Sequence, residues 1–339
     1  MIEEITLEKF YSLSHQIPVI DVRAPIEYEH GHIPGTVNVP LFNDEERVQI
    51  GTVYKNKGDK EAISLGESFA IPRISHYLKE VRKIGVNKTI IVLCSRGGMR
   101  SQRFSEMLSD NQFHVYRLVK GYKNYRRIVQ GSFTEKFPLI VIGGKTGSGK
   151  TEILIELEKQ KEQMINLEFL SNHRGSAFGA IGMGDQPTTE QFENELYEIM
   201  KKFDLNRRIW VEDESSNIGR VFLPGDLYEQ MKISPLIILE MDKNFRVKRL
   251  CQDYASEGLE PLVKGIRKIE KRLGMERVKV AIKAVESRDY FQAASIILEY
   301  YDKCYSYGVT KKRNSIIDHF TIEDDDPFLV AKQLIHHVS

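Results

Sequence analysis

No part of this 339-residue chain stays apolar for long. The most hydrophobic runs, Pro138 to Ile142 and Pro235 to Leu239, are strand-sized and fall far short of the roughly 20 residues that cross a bilayer as a helix. A soluble protein is expected. Met1 to Phe10 carries three glutamates and lacks the basic start and apolar centre of a secretory signal, so the expected location is cytoplasmic. Cysteine is scarce: Cys94, Cys251 and Cys304 have no paired spacing, which argues against a disulfide framework or a thiolate metal site. Net charge is missing too. The +1 balance provides no global pull toward nucleic acid, so any RNA-binding surface has to come from local clustering. Between Asp242 and Lys283 twelve Lys or Arg stand against six Asp or Glu.

The chain also lacks internal repeats and low-complexity tracts. Its composition, 41% apolar and 29% charged, is ordinary globular material, enough for two domains with separate cores. Short apolar runs alternate with amphipathic stretches, the pattern of parallel sheets covered by helices, so the expected class is α/β in both halves. Strands are expected at Val19 to Val22, Thr89 to Leu93, Leu139 to Ile142, Ile165 to Leu167, Ile209 to Val211 and Leu236 to Leu239. Between Val129 and Pro138 periodicity disappears, placing a boundary between domains of residues 1–130 and 137–339. Helical periodicity marks Gly265 to Leu273 and Val278 to Val285 in a helical C-terminal region.

In IIVLCSRGGMRSQRF, Cys94 follows an apolar strand and precedes Gly97 and Gly98, with a helix beginning near Met99. Consecutive glycines let backbone N–H groups turn around one point, and the helix N-terminus adds positive character. With Arg96 and Arg100 nearby, the pattern favours a thiolate that acts as nucleophile or carrier. Cys251 and Cys304 lack such a loop and read as structural.

Residues 144–151 read GKTGSGKT, a complete phosphate-binding loop between the strand LIVI and a helix. Gly144, Gly147 and Gly149 expose N–H groups to phosphate oxygens, Lys150 supplies a point charge, and Thr151 offers a hydroxyl to Mg²⁺. Downstream, IWVEDES brings Glu212 and Asp213 to a strand end, where such proteins place the carboxylate for the metal or its water shell. No N-K-x-D guanine-reading motif follows the loop, so a GTPase is not expected. The motif specifies a phosphate chain, not its hydrolysis, and a diphosphate other than a nucleotide satisfies the same donors.

The segment DVRAPIEYEHGHIPGTVNVP, Asp21 to Pro40, resembles the rhodanese-domain signature, making the first domain a rhodanese-like parallel-sheet domain. Arg100 stands six residues after Cys94, one further than is usual in simple rhodaneses, and this spacing also resembles the C-x5-R cradle of cysteine phosphatases. Rhodanese and P-loop order together, with PLFNDEERVQIGTVYK, GYKNYR, NHRGSAFG and VEDESSNIG, resemble the tRNA 2-selenouridine synthase family. That resemblance implies a transferase that S-geranylates the wobble 2-thiouridine of tRNA from geranyl diphosphate and then exchanges sulfur for selenium using selenophosphate. It implies Cys94 for the selenium step, Gly144, Gly149, Lys150 and Thr151 for the diphosphate, and a selenophosphate-supplying enzyme as a partner.

His173 and Arg174, in a loop of small residues, are expected to face the P-loop and contact diphosphate or a flipped base. Tyr122, Lys123, Arg126 and Arg127 interleave aromatic and basic side chains suited to unpaired RNA. Arg267, Lys268, Lys271 and Arg272 are the expected contacts to the tRNA backbone. Three rival readings are a rhodanese-type sulfurtransferase fused to a small-molecule kinase, a C-x5-R cysteine phosphatase, and a non-catalytic adaptor.

Overall fold

The computed structural model describes residues 1–84, 88–254, 257–312, 316–323 and 325–338, with side chains between 307 and 317 left out of the description. The chain divides into two compact units, Met1–Ser132 and Phe133–Ser339.

The first unit is built on five parallel strands: β1 (Ile2–Ile5), β2 (Val19–Asp21), β3 (Val37–Asn38), β4 (Thr89–Leu93) and β5 (His114–Leu118), in the order β1-β5-β4-β2-β3. Strand β4 is central, which explains its uninterrupted IIVL sequence, because successive side chains point to opposite faces and both faces are covered. Ile90 and Val92 join Cys94, Tyr77, Val81, Phe104 and Leu108 in one apolar cluster, while Ile91 and Leu93 are equally buried. The helix Met99–Asp110 starts where the cysteine loop ends.

The second unit continues with β6 (Leu139–Gly144), β7 (Gln163–Ile165), β8 (Ile209–Glu212), a short antiparallel ribbon β9 (Asn217–Ile218) and β10 (Val221–Phe222), then β11 (Leu236–Met241) and β12 (Ile316–Ile322). Its parallel sheet runs β12-β11-β6-β8-β7. Strand β6 pairs with β8 on one side and β11 on the other, so the chain order reverses at its carboxyl end, the crevice where open α/β sheets bind ligands. The strand expected at Ile165 to Leu167 lies earlier, because Asn166 ends it by capping the helix Leu167–Ser171, its Oδ1 accepting the Phe169 N–H at 2.8 Å.

The P-loop helix Lys150–Lys159 packs against the helix Pro327–His337 through Ile153, Leu154, Leu157, Val330, Ala331 and Leu334. The helices Leu259–Lys268, Met275–Glu286 and Tyr290–Lys312 build a separate apolar core around Leu262, Ile266, Ala281 and Val285. Among the described residues, no helix is long and apolar enough to cross a membrane.

Candidate functional site

Cys94 leaves the end of β4 buried, 3% exposed. Its thiol donates to Ser101 Oγ at 3.2 Å, and that hydroxyl donates to the Gly98 carbonyl at 3.0 Å, so the first helical turn holds the sulfur in place. Arg96 is exposed. Arg100 forms a two-pronged pair with Glu27, at 2.5 and 3.2 Å, and Arg47 lies 3.5 Å from the same carboxylate. Burial opposes ionisation of Glu27, but the hydrogen bond and charge of Arg100 outweigh it and hold the carboxyl below its usual range.

Behind Glu27 lies a buried pair. Arg23 Nε donates to both Asp21 oxygens, at 3.1 and 2.8 Å, and its guanidinium reaches the carbonyls of Glu27 and Gly31 at 3.2 and 2.7 Å. The Gly-His-Ile-Pro-Gly turn is thus tied to the end of β2. Removing one member of such an enclosed ion pair typically costs about 3–5 kcal/mol, since the other is left uncompensated.

The floor of the cysteine loop is main chain. Gly97 and Gly121 both have positive φ, +66° and +52°. A Cβ on Gly121 would overlap the Cys94 carbonyl oxygen and sit 2.7 Å from the Gly97 nitrogen. Tyr122 and Lys123 donate their N–H groups to the carbonyls of Cys94 and Ser95 at 2.9 and 2.8 Å. This corrects the RNA-surface expectation for two of its four residues: Tyr122 and Arg126 are interior, and the Tyr122 ring carries the Arg23 guanidinium 3.8 Å from its centre. The helix Gly121–Ser132 exists to brace the loop, so its buried stripe is unavailable for stacking on bases. Lys123 and Arg127 are exposed.

The phosphate-binding loop follows β6. Gly147 and Gly149 take φ of +81° and +80°, and Lys150 Nζ donates to the Gly144 carbonyl at 3.2 Å. The loop lines a cleft of about 450 Å³ that also takes in Thr151, Glu168, Arg174, Asp213, Glu214 and Arg249. Two arginines outside the motif fix it. Arg246, 3% exposed, donates to both oxygens of Asp302 at 2.8 Å and to the Thr146 carbonyl at 3.3 Å. Arg249 donates to Asp325 at 2.6 Å and lies 3.3 Å from Glu152.

Thr151 Oγ1 donates to Glu168 at 2.9 Å. Glu212, expected as an alternative metal ligand, is fully enclosed instead: Oε1 accepts the Glu168 N–H at 2.7 Å and Oε2 has no hydrogen-bond partner among the described residues. Burial first, and then the charges of Glu168 and Glu214, push its carboxyl well above the usual range. A carboxyl fully enclosed and absent from the cleft lining does not reach a cation there, so this expectation is corrected. Asp213 and Glu214 do line the cleft. Burial, followed by the charge of Glu168, raises Glu214 to about 8.

In the loop after the helix Leu167–Ser171, His173 and Arg174 part company. Arg174 lines the cleft, its guanidinium 5.1 Å from the centre of the Tyr254 ring. His173 is buried against Gly179, where an added Cβ would come within 2.7 Å of its ring. Burial and then the charge of Lys268 lower its pKa. The expected contact of His173 with phosphate is therefore corrected: it supports the loop from below. Arg267, Lys268, Lys271 and Arg272 are all exposed.

A family model described as the tRNA 2-selenouridine synthase AAA domain matches residues 137–329, and one for the rhodanese-like domain matches residues 6–134. A tRNA 2-selenouridine synthase of Sulfurovum sp. (strain NBC37-1) is 34% identical, over 92% of this chain and 94% of its own. The chain belongs to the tRNA 2-selenouridine synthase family. Relatives of the same name are 37% identical in Nitrosomonas eutropha (strain DSM 101675 / C91 / Nm57), over 70% of this chain and 63% of that one, and 32% identical in Shewanella sp. (strain ANA-3), over 88% and 91%.

In this synthase several site residues carry no signal in the linear sequence. Ser101 reads as one more helical serine, Glu168 and Glu214 as surface acids, and Arg246 and Arg249 as part of the basic cluster. Only their convergence in the fold distinguishes them. That cluster is accordingly not one surface, since Arg246 and Arg249 turn to the P-loop while the later basic residues face solvent.

Two substitutions test the cysteine-loop geometry. Gly121→Ala should cost about 2 kcal/mol or more, combining left-handed strain with overlap, read as a lower urea midpoint, while Gly131→Ala on the same helix should not. Glu27→Gln should lower stability by about 1–3 kcal/mol at pH 7, the range for a hydrogen bond to a charged group. Because the folded pKa of Glu27 lies below its unfolded value, the stabilisation is complete above the latter and is lost as pH falls through the former. The gap between variant and parent should therefore begin to narrow as pH falls below the ordinary Glu value of about 4.3, checked by urea titrations showing a smaller gap at pH 3.5 than at pH 7.

Proposed function

We propose that this transferase acts on the wobble 2-thiouridine of tRNA in two steps divided between its two loops. The observation that carries the reading is the presence on one chain of a complete, open phosphate cleft and a thiol held at a strand end between glycine turns. In the first step the C2 sulfur of the base attacks C1 of geranyl diphosphate, the C–O bond breaks, and diphosphate leaves. The N–H groups of Gly144, Gly147 and Gly149, the Lys150 ammonium and Arg174 take up the developing negative charge. Alkylation turns the sulfur into a better leaving group.

In the second step the selenium of selenophosphate adds at C2, the C2–S bond breaks and a geranyl thiol departs, and water cleaves the Se–P bond to release phosphate. Cys94 guides the selenium donor and stays at the thiol oxidation level throughout, with Arg96 and Arg100 beside it. A Mg²⁺ ion fits the cleft through the Thr151 hydroxyl and the Asp213 carboxylate. Few protein ligands are normal for this ion, which keeps waters and substrate phosphates, and it would neutralise diphosphate charge. The exposed Arg267, Lys268, Lys271 and Arg272, with Lys123 and Arg127, suit contacts to the RNA backbone, and that binding should weaken steeply with salt. The engagement of Arg100 by Glu27 speaks against a C-x5-R phosphatase, whose arginine has to be free for the phosphate.

The decisive experiment is mass spectrometry of nucleosides from 2-thiouridine-containing tRNA incubated with geranyl diphosphate and selenophosphate, separately and together. The expected result is a geranyl adduct that becomes 2-selenouridine. Lys150→Ala should abolish geranylation, whereas Cys94→Ser should spare it and block selenation; the reverse pattern overturns this division of labour.

A further inference from the structure

The helical core of the second unit is not closed. Next to the phosphate cleft lies a narrow cavity of about 60 Å³, walled by Phe178, Leu262, Ile266, Val285, Ala294 and Ile297. Thr146, Ser176, Leu250, Tyr254 and Tyr301 belong to the lining of both spaces. Beyond the shared mouth the lining is hydrocarbon apart from the Cys251 thiol and Tyr290. On the water-probe scale a space of roughly 10–15 Å³ holds one water, so this cavity has room for several.

Its construction is specific. Phe178 packs closely against Gly265, where a Cβ would stand 2.5 Å from the ring. The Tyr301 hydroxyl at the mouth is committed, accepting the Ala177 N–H at 3.0 Å. One loop, Asn172 to Gly179, therefore sends Arg174 to the phosphate cleft and Phe178 to the apolar wall. A nucleobase entering here would bury its polar edge without partners, at a cost of about 1–3 kcal/mol per group, whereas an apolar chain has nothing to leave unsatisfied.

We propose that this cavity is the binding site for the isoprenoid chain of the diphosphate substrate and that Ala294 helps to set the chain length accepted. The proposal rests on the reading that the P-loop holds a prenyl diphosphate. Each methylene withdrawn from water contributes about 0.8 kcal/mol, so geranyl diphosphate should bind at least 10-fold more tightly than inorganic diphosphate.

The test is calorimetry of the full chain with inorganic, dimethylallyl, geranyl and farnesyl diphosphates, together with N-ethylmaleimide labelling of Cys251 read by peptide mass spectrometry. Geranyl diphosphate should shield Cys251, while inorganic diphosphate and ATP should not. Ala294→Leu should weaken geranyl diphosphate at least 10-fold and leave inorganic diphosphate unchanged, the latter also certifying a folded cleft. Leu262→Ala should improve farnesyl relative to geranyl diphosphate. If geranyl diphosphate binds in a Lys150-dependent way but Cys251 stays open and neither variant shifts the chain-length preference, the cavity assignment is wrong and the P-loop reading stands. Equal shielding by ATP makes the cavity a nucleotide pocket and also overturns the assignment. If geranyl diphosphate binds no better than inorganic diphosphate, and Lys150→Ala changes neither, the underlying reading itself fails.

Discussion

Because β4 and β6 each pair in parallel with a neighbour on both sides, the loops that leave their carboxyl ends have nowhere to go but over the rim of a fully hydrogen-bonded sheet. There the chain must turn sharply into a helix, and residues without a Cβ make that turn feasible. Cys94 and the P-loop occupy equivalent positions in two separate units for this reason. The same pairing demands apolar side chains on both faces of the central strands, so the scaffolds of both sites are written as short hydrophobic runs.

Charge placement follows a second logic. Asp21 with Arg23, Glu27 with Arg100, and Arg246 with Asp302 are pairs in which each partner compensates the other's loss of water. The first ties the turn at Gly31 to the end of β2, the second joins the helix that follows the cysteine loop to another element, and in the third Arg246 connects Asp302 to the P-loop carbonyl of Thr146. Glu212 has no such compensation, and it rises in pKa instead of pairing. Acids of two kinds thus stand at the P-loop. Glu212 is enclosed outside the cleft, while Glu168, Asp213 and Glu214 line the space where substrate phosphates would lie.

Much of this was legible in the sequence, because glycine, cysteine and strand patterns are local. The α/β class, the central strands and both loops follow from runs of a few residues. What the sequence concealed was direction. Tyr122 and Arg126 share a helix with Lys123 and Arg127, and only the docking of that helix behind the cysteine decides which pair is buried. His173 and Arg174 are adjacent, yet one packs inward against Gly179 and the other lines the cleft. Arg246 looked like a surface cation until Asp302, from a distant helix, came to meet it. The start of β7 was misplaced because Asn166, a capping residue, interrupts an otherwise apolar run.

The contact between Gly121 and the cysteine loop makes that loop's shape the property of two distant parts of the chain. The backbone after β5 is a mould, and the backbone after β4 is cast in it. Residues on the outer face of the moulding helix are free to drift in sequence. Those at its start are not, and neither is the length of the connection from β5. An insertion there would move the sulfur without touching any residue that reacts.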